Sequence, residues 1–206
     1  SNDGDVDVFA VQLQNGSACV EVLTIRAGRV LGGKAFFPKI PGENSHEEIL
    51  AAFLPQYYLT NPGVHEIPQQ IVLSHKIEDA AWISAVLSES VERKIIMTTQ
   101  PRGERARWLE IASRTASQSL ATHLADRFSV EQRLQALQEL LGLENTPQRI
   151  ECFDISHSQG EATVASCVVY DEQGIKKSDY RRFNIEGVTP GDDYGAMYQA
   201  LTRRYL

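Results

Sequence analysis

Asp154 is the side chain best placed to do chemistry. It stands between Phe153 and Ile155 in an apolar run that reads as a β-strand, and a carboxylate buried there without a partner would be costly. One reading makes it a ligand for a hard divalent cation, since such ions take carboxylate oxygen. Phosphodiester cleavage by one or two such ions needs carboxylates fixed on a rigid sheet. The other reading is a strand-end Asp that caps a turn or pairs with an Arg. The metal reading requires the carboxyl to sit in a cleft, not in bulk solvent or against a distant guanidinium. Ser156-His157-Ser158-Gln159-Gly160 follows at once, either shaping the site or simply ending the strand in a polar turn. Tyr180-Arg181-Arg182 falls on a later strand, where Arg181 and Arg182 point to opposite faces. At most one of them can share a groove with Asp154 and bind phosphate in fork geometry. Asp192 and Asp193 read most simply as helix-start residues that cap free N–H groups and complement the dipole.

The elements that must position these residues are legible in outline. Residues 6–13, 20–25 and 29–37 read as strands joined at Asn15-Gly16 and Ala27-Gly28, an antiparallel meander. Ser45-His46-Glu47-Glu48 resembles a capping box, and Pro55 is expected to end the helix that follows. Residues 70–74 and 94–98 read as short buried strands. Between them, residues 79–88 set Trp82, Ile83, Val86 and Leu87 on one helical face. Residues 102–126 and 130–141 are expected as two helices, the second capped by Ser129 and stopped by Gly142. Residues 149–155, 163–170 and 175–185 read as three more strands, and 192–205 as a final helix. Three antiparallel strands, a helix, then alternating strands and helices is the order of an RNase H-like domain, so the expected class is α/β with mixed sheets: such a domain at 1–101, a helical connector at 102–147 and a second sheet unit at 148–206.

Composition narrows the function classes. The chain has 206 residues, 42% of them apolar and 23% charged, an ordinary globular mix. Its net charge of −7 excludes a wholly basic nucleic-acid coat but not a local basic groove. No apolar run approaches the roughly 20 residues of a membrane span, and the acidic start does not read as a signal peptide. Cys19, Cys152 and Cys167 are odd in number and lack metal-knuckle spacing, which points to a reducing, cytoplasmic setting. No dinucleotide or P-loop glycine pattern follows any strand, which disfavours a small-molecule α/β enzyme.

The two halves can be laid over each other. Val6-Asp7-Val8-Phe9-Ala10-Val11 matches Ile150-Glu151-Cys152-Phe153-Asp154-Ile155, and Gly16 and Gly160 fall at the same distance from their phenylalanines. Any three-stranded meander with glycine turns aligns about this well, so the match alone does not establish a duplication. In the overlay Ala10 fills the position of Asp154, which would leave the first copy without a metal-ligating carboxylate. Asp7 falls three residues earlier and faces the opposite side of the strand.

Phe153-Asp154-Ile155-Ser156-His157, Val164-Ala165-Ser166, Tyr180-Arg181-Arg182-Phe183-Asn184-Ile185 and Gly191-Asp192-Asp193-Tyr194, followed by Met197 and Arg203-Arg204-Tyr205, closely resemble the UvrC family. These are the subunits C of the bacterial excinuclease of nucleotide excision repair. The resemblance covers nearly the whole chain and is specific over the last 60 residues or so. It implies work with UvrB on damaged double-stranded DNA loaded by UvrA. It also implies a GIY-YIG nuclease cutting 3′ to the lesion and an RNase H-like nuclease cutting 5′ to it. The latter uses an Asp-Asp-His set with Mg²⁺ or Mn²⁺. Asp154 matches the first Asp of that set, with Ser156, His157, Tyr180, Arg181 and Arg182 as neighbours that support it or touch DNA. The second Asp, the His, the GIY-YIG motif and the helix-hairpin-helix motifs have no match here. The resemblance thus implies the middle of a longer protein, with 1–101 a non-catalytic pseudo-domain and 148–206 the truncated N-terminal half of the nuclease, unable to cut DNA alone, and with either self-association through an open strand edge or a poorly ordered C-terminal part. A non-catalytic scaffold that positions UvrB or the nuclease domains is the alternative. The 12 acidic and 7 basic residues of positions 1–100 make direct DNA binding by that half doubtful.

Overall fold

The computed structural model describes residues 4–60, 63–157, 162–189 and 191–206. The acidic start at 1–3, the turn Ser158-Gln159-Gly160 and Pro190 lie outside these. Contacts divide the chain into two units, Ser1–Leu124 and Ala125–Leu206.

The first unit is built on a five-stranded sheet. Strands β1 (Val6–Gln14), β2 (Ser17–Arg26) and β3 (Arg29–Phe36) form the meander. β4 (Gln70–Leu73) and β5 (Ile96–Thr98) add in parallel, giving the order β3-β2-β1-β4-β5. Asn15 and Gly16 both have positive φ, 49° and 70°, and so do Ala27 and Gly28, at 50° and 73°. These are the conformations that a two-residue turn needs to match strand twist. Helices cover both faces, so β1 is buried from Val6 to Val11 without alternation. Phe9 and Val11 pack toward α1 (His46–Leu59) and α2 (Ala80–Ser90). Val6, Val8 and Ala10 pack against Ala112, Ala116 and Leu120 of α3 (Glu104–Leu141).

Three local expectations yield to packing. Pro55 lies inside α1 instead of ending it. Buried Leu54 and Tyr58, on either side of it, hold the helix through a residue that lacks an N–H. Trp82 is 64% exposed, while Ile83 and Leu87 carry the buried face of α2. Residues 104–141 form one helix, with Ser129 in its interior and no cap there. Gly142 does stop it, at φ 64°, with Leu143 N–H donating to the Gln138 carbonyl at 3.0 Å.

In the second unit β6 (Arg149–His157) pairs antiparallel with β7 (Thr163–Asp171), which also pairs with β8 (Gly174–Ile175) and β9 (Arg181–Ile185). The expected single strand at 175–185 is broken by a 3₁₀ turn at Lys177–Asp179. Asp179 accepts from Arg149 at 2.7 Å and so ties that turn back to the start of β6. Helix α4 (Asp193–Tyr205) lays Ala196 and Ala200 on Ala165, Cys167, Val169, Phe183 and Ile185. Among the described residues β6 pairs only with β7, so its outer edge is open.

Candidate functional site

Strand register decides which predicted residues meet. Asp154 stands opposite Ser166, and Ser166 opposite Arg182. Opposed residues share a face, so these three form one row across the sheet, spanning about 10 Å at the usual strand spacing. Ser156, Val164 and Asn184 form the next row on that face. Ser156 Oγ donates to Asp154 Oδ2 at 3.0 Å.

The burial expected of Asp154 is not found. It is exposed, so within this chain the cleft that the metal reading requires is not formed around it, and no desolvation cost obliges it to hold a cation. β6 is apolar on the face under α4, through Phe153 and Ile155, and Asp154 is on the other face.

His157 is three residues from Asp154 and therefore faces the opposite side. Its Nε2 lies 2.6 Å from Asp193 Oδ1 and its Nδ1 lies 3.0 Å from Thr163 Oγ1. Asp193 thus anchors His157 to the first turn of α4, while Asp192 Oδ1 caps that helix by accepting from Gly195 N–H at 2.9 Å. Arg181 stands opposite Cys167, on the α4 side. Its Nη1 donates to the Ser178 and Tyr180 carbonyls at 3.1 and 2.8 Å. Tyr180 packs against the core under α4. Of the predicted neighbours, then, Ser156 and Arg182 share the face of Asp154, and His157, Tyr180 and Arg181 do not.

The sequence reading missed the carboxylate clusters on the opposite side of each first strand. In the first unit Asp7 is 1% exposed. It accepts from Tyr58 Oη at 2.6 Å and from Arg26 Nη1 at 2.7 Å. Burial raises its pKa above the ordinary value in spite of both donors. In the second unit the aligned residue is Glu151, which accepts from Tyr205 Oη and, at 2.8 Å, from Arg204 Nη2, with Arg149 Nε at 2.7 Å. The Arg204 hydrogen bond leads in lowering Glu151 to a pKa of about 2, against a smaller opposing effect of burial. The aligned phenylalanines repeat as well: Phe9 lies 5.8 Å from Tyr58 and Phe153 lies 6.3 Å from Tyr205, ring centre to ring centre. A carboxylate within an apolar strand, paired with a tyrosine late in the next helix, was the signal available.

Where the second unit has Asp154, the first has Ala10, fully buried. Opposite Ala10 stands Glu21, 3% exposed, with Oε2 lacking a hydrogen-bond partner among the described residues. Burial raises its pKa. Among the described residues no three His, Cys, Asp or Glu side chains are grouped to hold a metal ion. Asp154 and Ser156 offer hard oxygen, but one carboxylate is too few ligands for Mg²⁺ or Mn²⁺, and the residues present do not make a cation site.

A family model described as the UvrC Ribonuclease H-like domain matches residues 5–123. A second, described as the UvrC RNAse H endonuclease domain, matches residues 138–206. The chain is 53% identical over 202 residues to UvrABC system protein C of Pseudomonas putida (strain W619), which covers 98% of the chain and 33% of that protein. It is 51% identical to the protein of the same name from Ectopseudomonas mendocina (strain ymp), with the same coverage. The chain therefore spans about a third of the length of the curated relatives it matches.

Proposed function

Because the chain belongs to the UvrC family, we propose that it is the central part of an excinuclease subunit that acts in nucleotide excision repair. In this reading its second unit contributes Asp154 to the endonuclease that cuts 5′ to a lesion. The observation that carries the reading is the position of Asp154. It sits mid-strand on β6, within the region matched by the endonuclease-domain family model, on a face where Ser166 and Arg182 continue the row. Arg182 is the predicted arginine suited to meet DNA phosphate there. In the intact protein a divalent ion, Mg²⁺ or Mn²⁺, would supply water activation and leaving-oxygen stabilisation, with Asp154 as one ligand and the others drawn from outside these 206 residues. The partners in this reading are UvrB and damaged double-stranded DNA loaded by UvrA, and the setting is the cytoplasm. No helix among the described residues is long and apolar enough to cross a membrane.

The first unit favours a scaffold role of its own, since Ala10 offers no charge where Asp154 stands in the second. The test is Asp154→Asn in the intact protein. Loss of the 5′ cut, with DNA loading and the 3′ cut retained, is the expected result. Loss of loading would point to a scaffold instead. The 206-residue chain alone is expected not to nick a UvrB-loaded lesion substrate in magnesium. Self-association through the open edge of β6 is expected to appear as dimers in light scattering.

A further inference from the structure

We propose that the groove along the outer side of β9 is a second contact for a nucleic-acid backbone, with Arg182 and Arg203 binding phosphate and Glu186 opposing them. The proposal rests on the nuclease reading above for its choice of ligand. The groove holds about 510 Å³ and is lined by Arg182, Asn184, Glu186, Gln199 and Arg203. Arg182, Asn184 and Glu186 recur at the period of two that sets strand residues on one side. Gln199 and Arg203 are four apart on α4, one above the other on the helix surface.

The wall is fixed by hydrogen bonds that leave the charged ends available. The Gln199 side-chain amide pairs with both backbone groups of Glu186, at 3.1 and 2.8 Å. Arg203 Nη1 donates to the Asn184 carbonyl at 2.7 Å, and its guanidinium lies 5.4 Å from the centre of the Phe183 ring. That bond caps an edge-strand carbonyl and so blunts strand addition at this point. It uses one of five donors and holds the rest in place. Arg182 has no hydrogen bond or ion pair among the described residues. Two guanidiniums against one carboxylate favour an anion. A planar fork of donors suits phosphate, and an amide such as Asn184 suits the sugar-phosphate backbone.

Continuity with Asp154 selects a nucleic-acid strand over a free anion or an acidic peptide. The row Asp154–Ser166–Arg182 leads across the open face of the sheet into this groove. Its span of about 10 Å is on the scale of the distance between nearby phosphates of one strand, which exceeds the axial rise of about 3.4 Å because the backbone winds around the axis. A strand held at Asp154 would thus present a further phosphate at Arg182.

The test is fluorescence anisotropy of labelled single-stranded and duplex oligonucleotides with the 206-residue chain at low ionic strength, each variant first checked for folding by circular dichroism. Arg182→Ala should weaken binding several-fold and reduce the slope of log K against log salt by about 0.9 for duplex or about 0.7 for single strands. Glu186→Gln should tighten binding. Arg181→Ala, on the other face, should change neither. The proposal is overturned if the chain binds no DNA, if Arg182→Ala leaves affinity and slope unchanged, if Arg181→Ala costs as much, or if polyglutamate competes as well as DNA. Failure of the nuclease reading is separable: Asp154→Asn would then spare the 5′ cut in the intact protein while Arg182→Ala still altered the salt slope.

Discussion

In the first unit a buried aspartate, Asp7, and in the second a glutamate, Glu151, occupy aligned places on the first strand, each bonded to a tyrosine late in the following helix. Their acidities move in opposite directions. Burial dominates at Asp7 and raises its pKa; the arginine hydrogen bond dominates at Glu151 and lowers it to about 2. The same motif thus stores stability differently according to how much water reaches it. The other side of the strand differs too. Helix α3 seals the first sheet over Ala10, whereas Asp154 stands exposed on the second. Under helices on both faces the carboxylates of the first sheet, Asp7 and Glu21, are shut away from water; a sheet with an accessible face can present one to solvent.

The sharpest way to break this comparison is to exchange the two residues. Ala10→Asp should destabilise the first unit by about 4 kcal/mol or more, since it forces an unpaired carboxylate into a closed core. Denaturant unfolding would measure the loss, and a change below about 1 kcal/mol would show that the layer over Ala10 opens readily. Arg26→Ala should cost about 3–5 kcal/mol by leaving Asp7 buried without its cation, read as a lower thermal midpoint.

Glu151→Gln should cost roughly 1–3 kcal/mol at pH 7 once solvent screening is allowed for. Because the folded pKa is depressed, this stability is present above the ordinary value of 4.5 and lost as pH falls toward about 2. Asp7, with its pKa raised, works the other way: its contribution is present below 3.8 and lost as pH rises through its folded value. Acid titration followed by near-UV circular dichroism should therefore show a Glu151-dependent loss that Glu151→Gln abolishes. The smallest effect belongs to Asp154→Ala, within about 0.5 kcal/mol in thermal unfolding, as expected of an exposed side chain.

What could be read from the residues depended on how local the controlling physics is. Asn15-Gly16, the Ser45–Glu48 capping box and the Gly142 stop behave as their own chemistry dictates. Pro55 and Ser129 do not, because apolar packing carries α1 through the first and α3 runs unbroken through the second. The row Asp154–Ser166–Arg182 was half legible. Alternation showed that one arginine of the pair 181–182 could share the face of Asp154, but only the ladder register identified Arg182. His157 was grouped with Asp154 by adjacency along the chain, yet it turns to Asp193, 36 residues away.

By itself the amino-acid order determined the element types, the tight turns, the likeness of the two halves and the place of Asp154 on a strand, since dihedral preference and hydrophobic period act over a few residues. The tertiary structure alone decided which side chains stand together and which are wet. Register, helix cover and the pairing of carboxylates with distant arginines and tyrosines depend on segments that meet only after the chain has closed on itself.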